Sequence, residues 1–190
     1  MKLVVQIFVL FFGFQMVAQP VLYQKGGKKL TVKYVISDPK KTFVKVESDG
    51  KISKINNSEI DSIRMENQLM KPILDGKKPK LFFIISKKGN RELAVNKSEI
   101  IKNRGGFESV QTFYNLVVSE DGKISKTLTF SNSETEKEVS NRNQIFSFIT
   151  DNFADCPKVT SHFQLFKNDT DKLNLTILNY LDKPDTVKCK

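Results

Sequence analysis

His162, Cys156 and Cys189 carry the widest chemical repertoire in this chain of 190 residues, which has one histidine and two cysteines. Histidine can shuttle a proton near neutral pH, and a thiolate can attack carbon or hold a soft metal. Their settings argue for plainer roles. His162 sits between Ser161 and Phe163, near apolar helical faces, and reads as a packed or surface residue. A triad built on it would need a nucleophile and a carboxylate, and no Gly-x-Ser-x-Gly elbow occurs. One histidine and two cysteines assemble no zinc site without several carboxylates. No Cys-x-x-Cys motif occurs, and an even number of cysteines in an exported chain reads as one disulfide. A Cys156–Cys189 bridge would stabilise the fold by ~3–4 kcal/mol on the chain-entropy model. It would also pin the C-terminal tail to the end of the helix that precedes Cys156. A redox pair or two unrelated free thiols are the alternatives.

Other searches for a catalytic constellation return little. Gly26-Gly27 and Gly105-Gly106 are not followed by the Gly-Lys-Ser/Thr of a phosphate-cradling loop. The 21 acidic residues could supply a carboxylate pair for glycoside hydrolysis, although small size and the lack of tryptophan speak against it. The expectation is therefore a non-enzymatic protein with no catalytic, cofactor-binding or metal-ligating residue, and no cofactor.

The elements around these residues begin with an export signal over residues 1–18. Lys2 is a minimal positive start, residues 3–14 are apolar apart from Gln6 and Gly13, and a cut is expected after Ala18, leaving Gln19 or Pro20 first. The apolar run is too short for a span, which needs ~20 residues, so no transmembrane segment is expected after cleavage. Residues 19–140 read as a β-rich region. Leu30, Val32, Tyr34 and Ile36 alternate as a half-buried strand. Residues 42–63 then form a hairpin around Asp49-Gly50, and the plan returns around Gly89-Asn90 and Asp121-Gly122. The hexapeptide DGKISK occurs twice, at 49–54 and 121–126. Asp-Gly suits a two-residue turn with positive φ, which predicts Val44 opposite Ile55 and Phe43 opposite Asn56. The same counting places Ile84 opposite Val95, Phe83 opposite Asn96 and Phe113 opposite Phe130. Ser58-Glu59, Ser98-Glu99 and Ser133-Glu134 would each open a short helical turn. Duplicated units and re-use of common turn sequences both explain the similarity. Residues 64–80, with Pro72, Gly76 and Pro79, read as a linker or exposed loop, whereas residues 81–85 read as a central strand. Arg104-Gly105-Gly106 breaks the chain, and residues 131–142 read as a solvated connection.

Residues 141–190 change period. Ile145, Phe146, Phe148, Ile149 and Phe153 share helical spacing, and Pro157 is expected to stop that helix. Further helices are expected over 159–166 and 171–181, with an extended tail beyond. The whole reads as α+β: antiparallel β-hairpins, as an SH3-like N-terminal barrel or a β-meander, followed by a C-terminal helical segment.

The formal net charge is +10, the one sign of a partner. An anionic envelope polymer, a membrane surface or another envelope protein would answer it. Yet the lysines are dispersed in pairs (28–29, 40–41, 77–78, 87–88), and Arg64, Arg91, Arg104 and Arg142 are the only arginines. Dispersed lysine also keeps sheet edges apart.

The chain is similar to the small, lysine-rich secreted proteins of unknown function common in Bacteroidota. Met16-Val17-Ala18-Gln19, Ser58-Glu59-Ile60-Asp61-Ser62-Ile63 and Phe153-Ala154-Asp155-Cys156-Pro157 carry the resemblance, which covers the chain loosely. It implies a periplasmic, cell-surface or extracellular protein with a binding or structural role and no known reaction. In such bacteria Asp-Ser/Thr-apolar triplets resemble O-glycosylation acceptors, which Asp61-Ser62-Ile63 and Asp185-Thr186-Val187 fit. Intact mass of the exported protein should show a start at Gln19 or Pro20; a retained leader would remove the compartment argument for the disulfide.

Overall fold

The structure, a computed structural model, describes residues 19–104, 106–132, 141–167 and 174–189. The expected signal with Ala18, the Ser133-Glu134 pair and Leu173 lie outside them. Gln19 is exposed at the start.

Asp49 and Gly50 have φ of 51° and 75°, and Asp121 and Gly122 have 51° and 74°, the left-handed pair that a type I′ turn requires. The first turn joins β4 (Phe43–Ser48) to β5 (Lys51–Asn56), with Val44 opposite Ile55 and Phe43 opposite Asn56 as counted. The strand expected over 30–36 is two strands, β2 (Lys29–Thr31) and β3 (Tyr34–Ser37), which belong to different sheets. β3 pairs with β4, completing a three-stranded sheet. β2 pairs with β1 (Val21–Gln24), and β1 pairs with β6 (Ile60–Met65). A 3-10 turn, Asn57–Glu59, links β5 to β6; its N-cap is Asn56, whose Nδ2 donates to Glu59 Oε1 at 3.0 Å. Leu22, Val44, Val46, Ile60 and Ile63 bury together between the two sheets.

Residues 64–80 are not a linker. β6 turns at Glu66-Asn67 into β7 (Gln68–Asp75), and β7 turns at Gly76-Lys77 into β8 (Lys78–Lys88). Pro72 is tolerated because it pairs with Leu81 of β8, while on the other side β6 pairs only as far as Met70 and the strand that begins at Lys123 only at Leu74. A missing N–H costs little where no neighbour needs it.

β9 (Arg91–Arg104), β10 (Phe107–Glu120) and β11 (Lys123–Ser131) continue antiparallel from β8. β11 then meets β7, parallel, at Lys123 opposite Leu74, and Leu74 N donates to Gly122 O at 2.8 Å. Five strands thus close a ring, and an odd number makes the closing neighbours parallel. Ile73, Phe82, Ile84, Ala94 and Val117 form one cluster on its inner face. The alternate residues Leu93, Val95, Leu116 and Val118 pack outward against the helices, as the period of two demands.

The second and third hairpins depart from the counted register. The ladder slips between Ile84 and Ser86, setting Phe83 opposite Val95, and again between Val118 and Ser119, setting Tyr114 opposite Phe130. Tyr114 and Phe130 stack with ring centroids 5.4 Å apart. Each slip is a β-bulge, which bends a strand and sharpens its twist, as a small ring requires. Ser98-Glu99-Ile100 opens no turn: it runs within β9, and β9 and β10 pair without interruption from Arg104–Phe107 to Arg91–Glu120.

Three helices follow: α1 (Asn141–Phe153), α2 (Pro157–Lys167) and α3 (Leu175–Asp182). Pro157 does not stop α1, which ends at Phe153; it opens α2, where the missing N–H is one of the helix's free donors. Ile145, Ile149 and Phe153 on α1 meet Val159 and Phe163 on α2 over the outer face of the ring. The tail is extended and adds β12 (Val187–Lys188), parallel to β8. Cys156 and Cys189 are joined, with Cα atoms 5.4 Å apart. Replacing both by serine should lower the unfolding free energy by ~3–4 kcal/mol. Guanidinium titration checks this, and reductant should shift the parent protein by the same amount and leave the variant unmoved.

Candidate functional site

A cleft of about 610 Å³ opens where β3, the β6–β7 turn, β9 and the tail converge. Its floor is apolar: Val35, Met70, Leu81 and Phe83. Met70 and Leu81 are buried parts of the N-terminal core, and Phe83 packs against both that core and the helical one. The floor is therefore fixed by packing rather than by the cleft's own needs.

The rim carries both signs, with Glu66, Asp182 and Asp185 against Lys33, Lys97 and Lys183. Asp182 is the hub of one wall. It accepts from the Tyr114 hydroxyl at 2.9 Å and from Lys97 Nζ at 3.1 Å. Burial, then the hydrogen bond to Asp182, pushes the Tyr114 phenol well above its ordinary range. The tail forms that wall because it is tied at several points. Gln68 Nε2 donates to Lys183 O at 2.9 Å, Thr186 N to Asn67 O at 3.1 Å, and Thr186 Oγ1 to Ile84 O at 3.0 Å. Tyr34, at the cleft's edge, stands opposite Glu47 in the β3–β4 ladder; burial and then the Glu47 hydrogen bond raise its pKa. Glu66, at the tip of the turn, holds a positive φ of 50°, a strained position for a residue with a side chain.

This arrangement offers a greasy floor, carbonyls and amides along one wall, and balanced charge at the mouth. It can hold a ligand that is apolar along its length and mixed in polarity at its ends. Nothing in the sequence marked it, because its residues come from six separate segments.

The residues singled out from sequence lie elsewhere. His162 projects from α2 into an aromatic group, with ring centroids 5.6 Å from Phe163, 5.3 Å from Phe166 and 4.8 Å from Tyr180. Its Nε2 is buried without a hydrogen-bond partner. Burial lowers its pKa against an opposing pull from Asp185. Arg64 stacks over Tyr23, and Arg91 stacks over Phe153 while pairing with Asp155 at 2.5 Å, so both serve the fold. Of the paired lysines, Lys41 pairs with Asp38, Lys87 with Glu92 and Lys88 with Asp155. Ser62 is buried in β6 and donates to Asp61 at 3.3 Å, and Thr186 donates to Ile84; neither hydroxyl is free in the folded chain. No group of three or more histidine, cysteine or acidic residues placed to hold a metal occurs among the described residues. No helix among them is long and apolar enough to cross a membrane.

Glu92 marks a second polar cluster. It is nearly buried in β9, 2.6 Å from Lys71 and 3.7 Å from Lys87. Its cross-strand neighbour Ser119 is fully buried. This cluster belongs to the ring and does not line the cleft.

The chain matches no family model, no curated protein and no solved structure.

Because the folded pKa of His162 lies below its ordinary value of 6.5, the unfolded chain takes up the proton first. Stability is then full above that value and falls as pH drops through it. Urea unfolding from about pH 7.5 to about pH 5.5 should show this loss, and His162→Phe should remove its histidine share.

Proposed function

We propose that this is an exported, non-enzymatic binding protein of the bacterial cell envelope and that the cleft is its binding site. The single observation that carries the reading is the cleft's make-up, an apolar floor under a charge-balanced rim. An extended peptide segment fits that chemistry: its apolar side chains bury on Val35, Met70 and Phe83, and its polar groups meet the mixed charges of the rim. A polyanion would meet as many acids as bases there. The signal-like residues 1–18 and the Cys156–Cys189 bridge support an oxidising compartment. On the same reading, residues 21–65 are a small SH3-like barrel. The support is two three-strand groups, β2-β1-β6 and β3-β4-β5, around one core, with a 3-10 turn before the last strand.

Selection from a random-peptide display library tests the proposal. Peptides enriched on the protein should lose at least about tenfold in affinity when Phe83 on the cleft floor is replaced by alanine, the loss typical of a buried aromatic anchor, with thermal unfolding showing that the variant is folded. They should be indifferent to Lys45→Gln with Lys54→Gln. Enrichment of nothing, or of peptides insensitive to Phe83→Ala, would sink it.

A further inference from the structure

The sheet β3-β4-β5 turns Val44, Val46 and Ile55 inward, all buried. Its other face looks out. Residues directly opposite in an antiparallel ladder share a face, so Ile36, Lys45 and Lys54 form one row across it, and Tyr34, Glu47 and Ile52 the next. A sheet with one face on the core should be polar on the other. Here Ile36 is 54% and Ile52 65% exposed.

The charges between them are also placed against the fold's interest. Lys45 and Lys54 stand directly opposite one another, a like-charge pair that destabilises a ladder. Phe43 lies beside them, with Lys54 Nζ 5.2 Å and Lys41 Nζ 5.8 Å from its ring centre. The acids near this side are engaged elsewhere, Glu59 by the Asn56 amide at 3.0 Å. Glu47 takes Lys33 at 3.7 Å and the Tyr34 hydroxyl, and Asp38 takes Lys41 at 3.6 Å and the Lys40 backbone N–H at 2.9 Å. Among the described residues, no carboxylate forms an ion pair with Lys45 or Lys54. Nothing inside the protein answers either the exposed aliphatics or the opposed ammonium groups.

One surface answers both. Lipid phosphates would separate and neutralise the lysines, while the isoleucines reach the boundary between headgroups and acyl chains. A soluble polyanion would use the lysines and leave the isoleucines in water. A nucleic acid strand would need aromatic faces open for stacking, and ammonium groups lie over Phe43 instead. We propose that the outer face of β3-β4-β5 docks the protein reversibly on an anionic membrane surface. This inference stands apart from the cleft and does not need it to be occupied.

Flotation of the exported protein with two sets of vesicles tests it, one of phosphatidylcholine alone and one with an equal part of phosphatidylglycerol. The protein should float with the anionic vesicles at low salt and not with the neutral ones. Lys45→Gln with Lys54→Gln should weaken that partition roughly fivefold per lysine and should also weaken retention on immobilised heparin. Ile36→Ser with Ile52→Ser should weaken flotation about tenfold or more and leave heparin retention unchanged. Thermal unfolding of both variants confirms that they are folded, and the lysine variant should melt no lower than the parent. Flotation that ignores the isoleucines would assign the face to soluble polyanions instead. Equal binding to neutral vesicles, or none to either, would overturn the proposal outright.

Discussion

The fold depends on one constraint: strands β8, β9 and β10 are apolar on both faces, so both faces must be covered. Leu93, Val95, Leu116 and Val118 point one way, and Ala94 and Val117 the other, all almost fully buried. A flat sheet would need two separate covering layers. The chain instead curls these strands into a ring with β7 and β11, so one set of side chains covers itself. The smallest residue, Ala94, falls on that inner side. The outer set remains for α1, α2 and α3, which explains why three modest helices suffice. Lys71 and Glu92 lie against the ring at 2.6 Å; such a pair adds little net stability, but losing either partner would strand the other.

How much of this was legible follows from where the backbone is regular. The Asp49-Gly50 hairpin could be counted residue by residue because nothing interrupts its ladder. The other two hairpins turn where expected, yet their far ends are displaced by one residue. The bulges responsible, beside Ile85 and Ser125, answer to ring curvature, a long-range demand that no local signal in the sequence records. Pro72, Gly76 and Pro79 looked like breakers, and only the strand order shows that Pro72 falls beside a gap in pairing while Gly76 makes a turn. Pro157 is legible as a helix boundary but not as the start of the second helix. The disulfide was readable because only two cysteines were available. The cleft was not, because β3 meets the β7–β8 hairpin only through the shared core between the sheets, and the tail reaches it only through β12.

Two surfaces of the same small sheet region end with different electrostatics. At the cleft, Lys33, Lys97 and Lys183 are matched by Glu66, Asp182 and Asp185, and the local field is close to neutral. Among the described residues no carboxylate pairs with Lys45 or Lys54, so their charge is uncompensated by contact and the exposed aliphatics sit beside it. The net charge of +10 is thus not spread evenly over the two surfaces. Composition alone would have described both as lysine-rich.

The strand β12 carries a consequence for how the chain must reach this state. It lies beside β8, and its hydrogen bonds link residues about a hundred positions apart, as from Ser86 Oγ to Val187 O. During synthesis β8 therefore emerges long before its neighbour exists. Until the tail arrives, the end of that edge beyond Phe83, where β7 no longer pairs, is open to any other extended segment, the state in which chains pair wrongly. Two short residues of strand are a slight closure on their own. The bond from Cys189 to Cys156 makes that closure permanent, so oxidation acts as the latch that ends the chain's exposure to its neighbours.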